Sequence, residues 1–341
     1  MKAVGYTLPS PIEAPEALLD IEVPEPEIGP RDLLVEIKAV SVNPVDVKVR
    51  AGTPPEPGSE YKVLGYDAAG VVVRRGRDCS LFKVGDEVWY AGSIARQGTN
   101  AQFHAVDERI VGSKPKSIGF AEAAALPLTA ITAWELLFDR LGIDQFKGAQ
   151  AHQRKGVLLV IGGAGGVGSI LTQIASKLTA LTVVATASRA ETVQWCYGNG
   201  AHFVIDHHRP MLQQMEELKF PQAEYIAALT GTEQHFPELA KIVAPQGKIG
   251  IIDDPKHLDV KLLKRKSASL HWEFMFTRPV FGTQDILRQH DLLTEVARLV
   301  DLGTLRTTVT QHLGAINAQH LRRAHAMQES GTAMGKTVLG V

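Results

Sequence analysis

Cysteine is scarce in this sequence. Cys79 and Cys196 are the only two, too few for a disulfide framework or a cage of thiolates around zinc, and they read as reduced thiols. Neither sign of charge is in excess, with 36 Lys and Arg against 37 Asp and Glu, and no basic run stands out. Nucleic acid and anionic membrane are therefore not expected as partners. The apolar runs fall short of a bilayer span and Met1 to Pro15 holds no signal-peptide core, so a soluble, cytoplasmic protein is expected. Repeats and low-complexity tracts are missing as well. The nearest approach is the Pro- and Glu-rich stretch from Val23 to Pro30, which reads as a turn between strands.

What the 341 residues do contain is enough chain for about two domains with cores of their own. The organising stretch is VLLVIGGAGGVGSILTQIA, residues 157–175. A short β-branched run, Val157 to Ile161, enters a glycine cluster and leaves as a segment with Ile170, Leu171, Ile174, Ala175 and Leu178 at helical spacing. Gly163, Gly165 and Gly168 fit G-x-G-x-x-G, with Gly166 and Val167 between the last two. In such a strand–turn–helix the glycines permit the turn, let backbone approach a pyrophosphate, and let the helix pack closely on the strand. The helix N-terminus offers its unpaired amides to the phosphates.

The next apolar run, TVVATA, ends in Ser188-Arg189 with no acid before Glu191. An acidic residue there would hold a ribose 2′-hydroxyl, whereas a hydroxyl and a guanidinium suit a 2′-phosphate. NADPH is favoured over NADH on this ground; the alternative is that Arg189 is a solvated helix-start residue.

Before the turn, residues 1 to about 115 read as short strands: MKAVGYT, LLVEIKAVSV, AAGVVVRRG, GDEVWYAG and AQFHAVDERIV. Helical spacing follows over Phe120 to Ala125 and again in LTAITAWELLFDRLGI. A polar connection between Ile143 and Gly156 reads as a surface loop. Past the turn, strands and helices alternate (AHFVID, a helix around Pro210 to Leu218, EYIAALT, a helix from His235 to Val243, GKIGIID), which predicts a parallel sheet with ligand at the carboxyl ends of its strands. Asp206-His207, Thr230 and Asp253 stand at such ends and are either contacts or polar punctuation. Trp272, Phe274 and Phe276 form an aromatic group that is either a substrate-pocket wall or core packing. Helices over His290 to Leu302 and Ala318 to Glu329 read as packing helices.

These stretches, together with AVSVNPVDVKVRAG (39–52), GYDAAGVV (65–72), AAALPLTAITAWELL (123–137), GAHFVIDH (200–207), APQGKI and the terminal GKTVL (335–339), lie in collinear order. Over essentially its whole length the sequence resembles the medium-chain dehydrogenase/reductase superfamily. Within it, the chain looks most like the zinc-free, quinone-oxidoreductase-like branch often labelled zinc-type alcohol dehydrogenase-like. The resemblance implies an α/β fold, in which a Rossmann-type parallel-sheet domain (123–265) interrupts a GroES-like, β-rich catalytic domain (1–122 and 266–341). It also implies homodimers or homotetramers. Where zinc alcohol dehydrogenases resemble this chain they carry Cys at the position of Asn43, His at that of Tyr66 and a further Cys near Leu128, so no metal site is expected.

Without a Lewis acid, the chemistry that remains is hydride transfer to an acceptor that tolerates negative charge, a quinone or an α,β-unsaturated carbonyl. Asn43, Lys48 and Tyr66 are the candidate catalytic groups: an amide donor, an ammonium that stabilises an enolate, and a proton donor or pocket wall. Asp46 is either a helix cap or a chemical group. By resemblance, Thr132 lies at the nicotinamide face and Lys336 near the cofactor. The alternatives are a zinc-dependent alcohol dehydrogenase and a non-catalytic protein that binds or senses NADPH.

Overall fold

The computed structural model describes residues 1–146 and 156–341. These form two units, Met1–Ile131 with Phe276–Val341, and Thr132–Met275. The expected surface connection before Gly156 lies, from 147 to 155, outside the described residues.

The first unit opens with β1 (Lys2–Tyr6), β2 (Leu19–Glu22), β3 (Asp32–Ser41), α1 (Pro44–Gly52), β4 (Lys62–Val63), β5 (Ala68–Arg75), β6 (Glu87–Tyr90), β7 (Phe103–Asp107), β8 (Gly112–Ser113) and α2 (Phe120–Ala124). α3 (Pro127–Trp134) begins in it and continues as a π-helical stretch, Glu135–Arg140. The second unit holds β9 (Val157–Ile161), α4 (Gly166–Leu178), β10 (Thr182–Thr186), α5 (Ala190–Gly198), β11 (Phe203–Ile205), α6 (Met211–Glu217), β12 (Ala223–Ala228), α7 (Thr232–Ile242), β13 (Val243–Ile251) and β14 (Ser269–Trp272). The chain then returns to the first unit through α8 (Thr277–Phe281), α9 (Arg288–Asp301), β15 (Val309–His312), α10 (Ala318–Glu329) and β16 (Lys336–Gly340).

In the first unit β3 is the hub. It pairs antiparallel with β5, β7 and β16, inside a seven-stranded sheet of order β15-β16-β3-β5-β6-β8 with β7 branching from β3. Leu33, Leu34, Val35, Ala39 and Val40 are buried along it, so the strand is covered on both faces for most of its length. The register Val338 with Ser41 and Leu339 with Val40 brings the last segment of the chain back to the first. β1, β2 and β4 make a separate three-stranded sheet.

In the second unit six parallel strands run in the order β11-β10-β9-β12-β13-β14. This is the doubly wound arrangement that places ligand outside the carboxyl ends of the strands, where the order reverses between β9 and β12. Every residue of β9 and β10 is buried, as expected of central parallel strands covered by helices on both faces. Leu159, Ile161, Ile226 and Ile251 on these strands and Phe236 on α7 belong to one apolar cluster, each contributing about 2 kcal/mol relative to an exposed side chain.

Three expectations need correction. Both domain junctions lie later than 122/123 and 265/266, because α2 packs on β3 and β5 of the first unit while β14 hydrogen-bonds to β13 of the second. The segment around Trp272 is therefore an edge strand, which its short aromatic run did not announce. Phe120–Arg140 has the length and mean hydropathy, 1.2, of a membrane span, but 78% of its apolar window is buried within the protein, as in the core helix of a globular fold.

Candidate active site

β9 delivers its last residue, Ile161, straight into the glycine turn. Gly162 has φ +81, and a Cβ there would meet the Thr230 methyl at 2.8 Å. A Cβ on Gly163 would meet Ala185 Cβ at 2.7 Å and Cys196 Sγ at 3.1 Å, and one on Gly168 would sit inside the Gly162 carbonyl. Packing alone therefore requires the first and third glycines. Gly165 differs: its Cβ would approach only Gly162 O, at 3.6 Å, with open space otherwise. α4 starts here with neither a side-chain cap nor an acidic residue in its first turn. The amides of Gly166, Val167 and Gly168 thus keep the uncapped, partly positive N-terminus that an anion favours. The residues present fit a dinucleotide pyrophosphate.

Hydrogen bonds fix the turn against its neighbours. The Gly162 amide donates to Thr186 Oγ1 at 3.0 Å and that of Gly163 to Thr186 O at 3.1 Å, while the Trp195 indole donates to Ser169 Oγ at 2.7 Å. Ser188 and Arg189 follow β10, and Arg189 Nε pairs with Glu191 Oε1 at 2.9 Å. Its guanidinium is partly neutralised on its own helix, a partner that sequence spacing alone did not assign. Thr230 lies against the turn through Gly162. Asp253 accepts from the Thr232 amide at 2.9 Å and also from its hydroxyl, so this strand-end carboxylate caps α7. Asp206 accepts the His208 amide at 2.9 Å. The His207 ring lies tilted against that of His208, ring centres 4.3 Å apart.

In the first unit four segments converge on a buried polar cluster. Asp67 accepts from Leu128 N (2.8 Å), Ser41 Oγ (2.9 Å), Asn43 Nδ2 (2.9 Å) and Lys336 Nζ (3.1 Å). Lys336 Nζ also donates to Val42 O at 3.0 Å and to Asn43 Oδ1. Burial pushes the Asp67 carboxyl up and the Lys336 ammonium down, and their mutual attraction opposes both shifts. Four donors around one carboxyl group favour the ionised pair.

Asn43 is held at both ends of its amide, and its side chain is thereby withdrawn from capping α1. Asp46 does that work instead, accepting Asn43 N at 2.8 Å, and it also accepts Gly65 N at 3.1 Å. Burial raises the Asp46 carboxyl to about 7 against the pull of these donors and of Lys336.

The sequence-derived residues are therefore scattered in role. Asn43 and Lys336 are brought together, and Lys336 has its ammonium committed within the protein. Tyr66 is buried with its hydroxyl unpartnered, edge-on to Phe276 at 5.5 Å; burial, and then the Asp46 carboxyl, drive that phenol up. Lys48 is exposed on α1, and Thr132 is buried. Trp272 and Phe274, 55% and 50% exposed, lie in the second unit, whereas Phe276 is buried in the first. Sequence reasoning missed Asp67, although a charge at the head of an apolar strand was a signal. Asn43, Tyr66 and Leu128 supply an amide, a phenol and a hydrocarbon, not the thiolate and imidazole donors of a tetrahedral zinc site. Among the described residues no group of three or more His, Cys, Asp or Glu is placed to hold a metal ion.

Comparison with known proteins agrees with this architecture. Residues 29–134 match the alcohol dehydrogenase GroES-like domain family and residues 199–339 the zinc-binding dehydrogenase family. A zinc-type alcohol dehydrogenase-like protein of Staphylococcus aureus is 37% identical, with both chains covered in full. A crystal structure described as a putative zinc-dependent alcohol dehydrogenase from Rhizobium etli is 55% identical with a TM-score of 0.95, covering 100% of this chain and 98% of that one. The Escherichia coli quinone oxidoreductase complexed with NADPH shares the fold at 22% identity and a TM-score of 0.83, both chains being covered in full. The uninterrupted likeness in sequence and the nested arrangement of the two units lead to one conclusion: the chain belongs to the medium-chain dehydrogenase/reductase superfamily of oxidoreductases.

Proposed function

We propose that this protein is an NADPH-dependent reductase that delivers hydride to a quinone or an α,β-unsaturated carbonyl without a metal. The observation that carries the reading is the glycine turn, where packing accounts for Gly163 and Gly168 but leaves the Gly165 face open beside an uncapped helix N-terminus. A pyrophosphate on the amides of Gly166, Val167 and Gly168 satisfies that arrangement. Ser188, Arg189, His207 and Thr230 stand at the neighbouring strand ends and would hold the adenosine half. When bound, the nicotinamide supplies the hydride.

The acceptor follows from the donor chemistry of the first unit. An alcohol dehydrogenase that ionises its alcohol on zinc needs thiolate and imidazole ligands, and the positions in question hold Asn43, Tyr66 and Leu128. Quinones and enones carry their own charge sink, so a few hydrogen bonds suffice. Lys48 on α1 and the unpartnered Tyr66 hydroxyl are the groups assigned to that oxygen. The same reading makes the protein a cytoplasmic homodimer or homotetramer acting on a small molecule. The balanced charge and the exposed Trp272 and Phe274 at the edge strand support it.

Purified protein mixed with NADPH and a panel of quinones and enones tests the proposal. Acceptor-dependent loss of the reduced-nicotinamide absorbance is expected; a flat trace with every acceptor contradicts it.

A further inference from the structure

Three histidines crowd one end of the parallel sheet, outside the glycine turn itself. His207 and His208 follow β11, and His235 lies in the first turn of α7, which follows β12. The His207 ring is centred 4.3 Å from that of His208 and 6.0 Å from that of His235. Nδ1 of His207 is buried with no hydrogen-bond partner. Chain topology sets His207 and His208 beside Ser188-Arg189, to which the proposed function assigns the adenosine ribose. β10 and β11 are adjacent and parallel, with Thr186 opposite Ile205 and the Ala187 amide donating to Ile205 O at 3.0 Å. Ser188-Arg189 and Asp206-His207-His208 therefore leave the sheet side by side. His235 Cδ2 lies 3.3 Å from the position of a Cβ on Gly231, at the mouth of β12.

The charges around the cluster have partners already. Arg189 is paired with Glu191. Glu238 on α7 accepts the Leu212 amide at 2.9 Å, Glu233 accepts the Lys256 amide at 2.8 Å, and Asp253 is engaged by Thr232. Asp206 accepts the His208 amide, and Arg209 extends from the exposed part of the same loop. A 2′-phosphate dianion arriving beside an Arg that Glu191 has half neutralised needs further positive charge, and the imidazoles are the groups able to acquire it.

On the reading that the turn binds a nicotinamide dinucleotide, we infer that His207, His208 and His235 form a proton-linked receptor for the 2′-phosphate of NADPH. Binding draws a proton onto the cluster, and preference for NADPH over NADH increases as pH falls toward 6.5. Without ligand, burial and the neighbouring imidazoles hold His207 and His235 low, against the opposing pull of Asp206 on the first and of Glu238 and Asp253 on the second. His207 and His235 are then neutral at pH 8. A dianion reverses the balance by favouring the charged form. Because the rings repel one another once charged, uptake of about one proton is expected. The phosphate keeps its second charge until about pH 6.

Equilibrium titrations of NADPH, NADH and 2′,5′-ADP, followed by fluorescence and calorimetry at pH 6.5 and 8.0, test this. NADPH and 2′,5′-ADP are expected to bind about tenfold more tightly at the lower pH, with NADH changing less than about twofold. Calorimetry in two buffers of different ionisation heat should count the proton directly. His208→Gln and His235→Gln should flatten the NADPH slope and leave NADH binding intact, which also reports that the variants are folded. Equal pH slopes for NADPH and NADH, or variants that keep the slope, overturn the inference while leaving the dinucleotide reading in place. Failure of every nucleotide to bind overturns both.

Discussion

The glycine turn after β9 and the cluster around Asp67 both prepare a protein interior for charge, with opposite materials. The turn uses backbone: amides from one unbroken stretch, with glycines removing whatever side chains would obstruct them. The cluster uses side chains and amides from residues 41–46, Asp67, Leu128 and Lys336, which only the folded sheet of the first unit brings together. A continuous backbone device tolerates change around it but hardly any within it. A discontinuous ionic device depends on each partner for the solubility of the others in the core.

The largest effect should come from splitting the ionic device. Asp67→Ala leaves the Lys336 ammonium buried without its counter-charge and should lower stability by about 4 kcal/mol in urea unfolding. Asp67→Leu combined with Lys336→Met should recover most of that loss, since removing both partners removes the desolvation cost. If the double variant is as unstable as the single, the cluster does not act as a pair.

Within the turn, Gly168→Ala drives a methyl into the Gly162 carbonyl and should cost about 3 kcal/mol of stability. Gly165→Ala has room for its Cβ at the fold's own expense of almost nothing, yet stands where the pyrophosphate is assigned. It should keep its melting temperature and weaken NADPH binding about tenfold, or about 1.4 kcal/mol. Equal loss of stability in the two variants would remove the distinction between packing glycine and ligand glycine.

A smaller effect tests whether the second unit also contains a side-chain device. Arg140 Nε donates to Glu273 Oε2 at 2.7 Å, and Glu135 lies beside them, fully buried. Burial, reinforced by the Glu135 charge, raises the Glu273 carboxyl to about 8, with Arg140 opposing. The folded state thus keeps a proton that the unfolded chain releases near 4.5, so stability should fall as pH rises from about 5 to 8. Glu273→Gln keeps the neutral form. It should flatten that decline and be more stable than the parent at pH 8 by about 1 kcal/mol, read by unfolding at both pH values.

This contrast explains how much could be read without coordinates. The strand–turn–helix around Gly163, Gly165 and Gly168 is legible because its determinants are neighbours in sequence, and the β-rich and alternating regions follow from periodicity. The return of GKTVL to β3 came from resemblance alone; no local pattern encodes that Val338 faces Ser41. Lys336 was expected near a cofactor, and its pairing with Asp67 depends on two strands that are far apart in the chain. β14 escaped notice because four residues with an exposed Trp272 carry no strand periodicity.

The measurement that bears most directly on the account is NADPH oxidation by a quinone or enone acceptor before and after exhaustive chelation, with zinc added back. A metal-free reductase should show the same acceptor-dependent rate in all three states. Loss of the rate on chelation and its return with zinc would contradict the account, as would NADP-dependent oxidation of simple alcohols in the zinc-loaded protein alone.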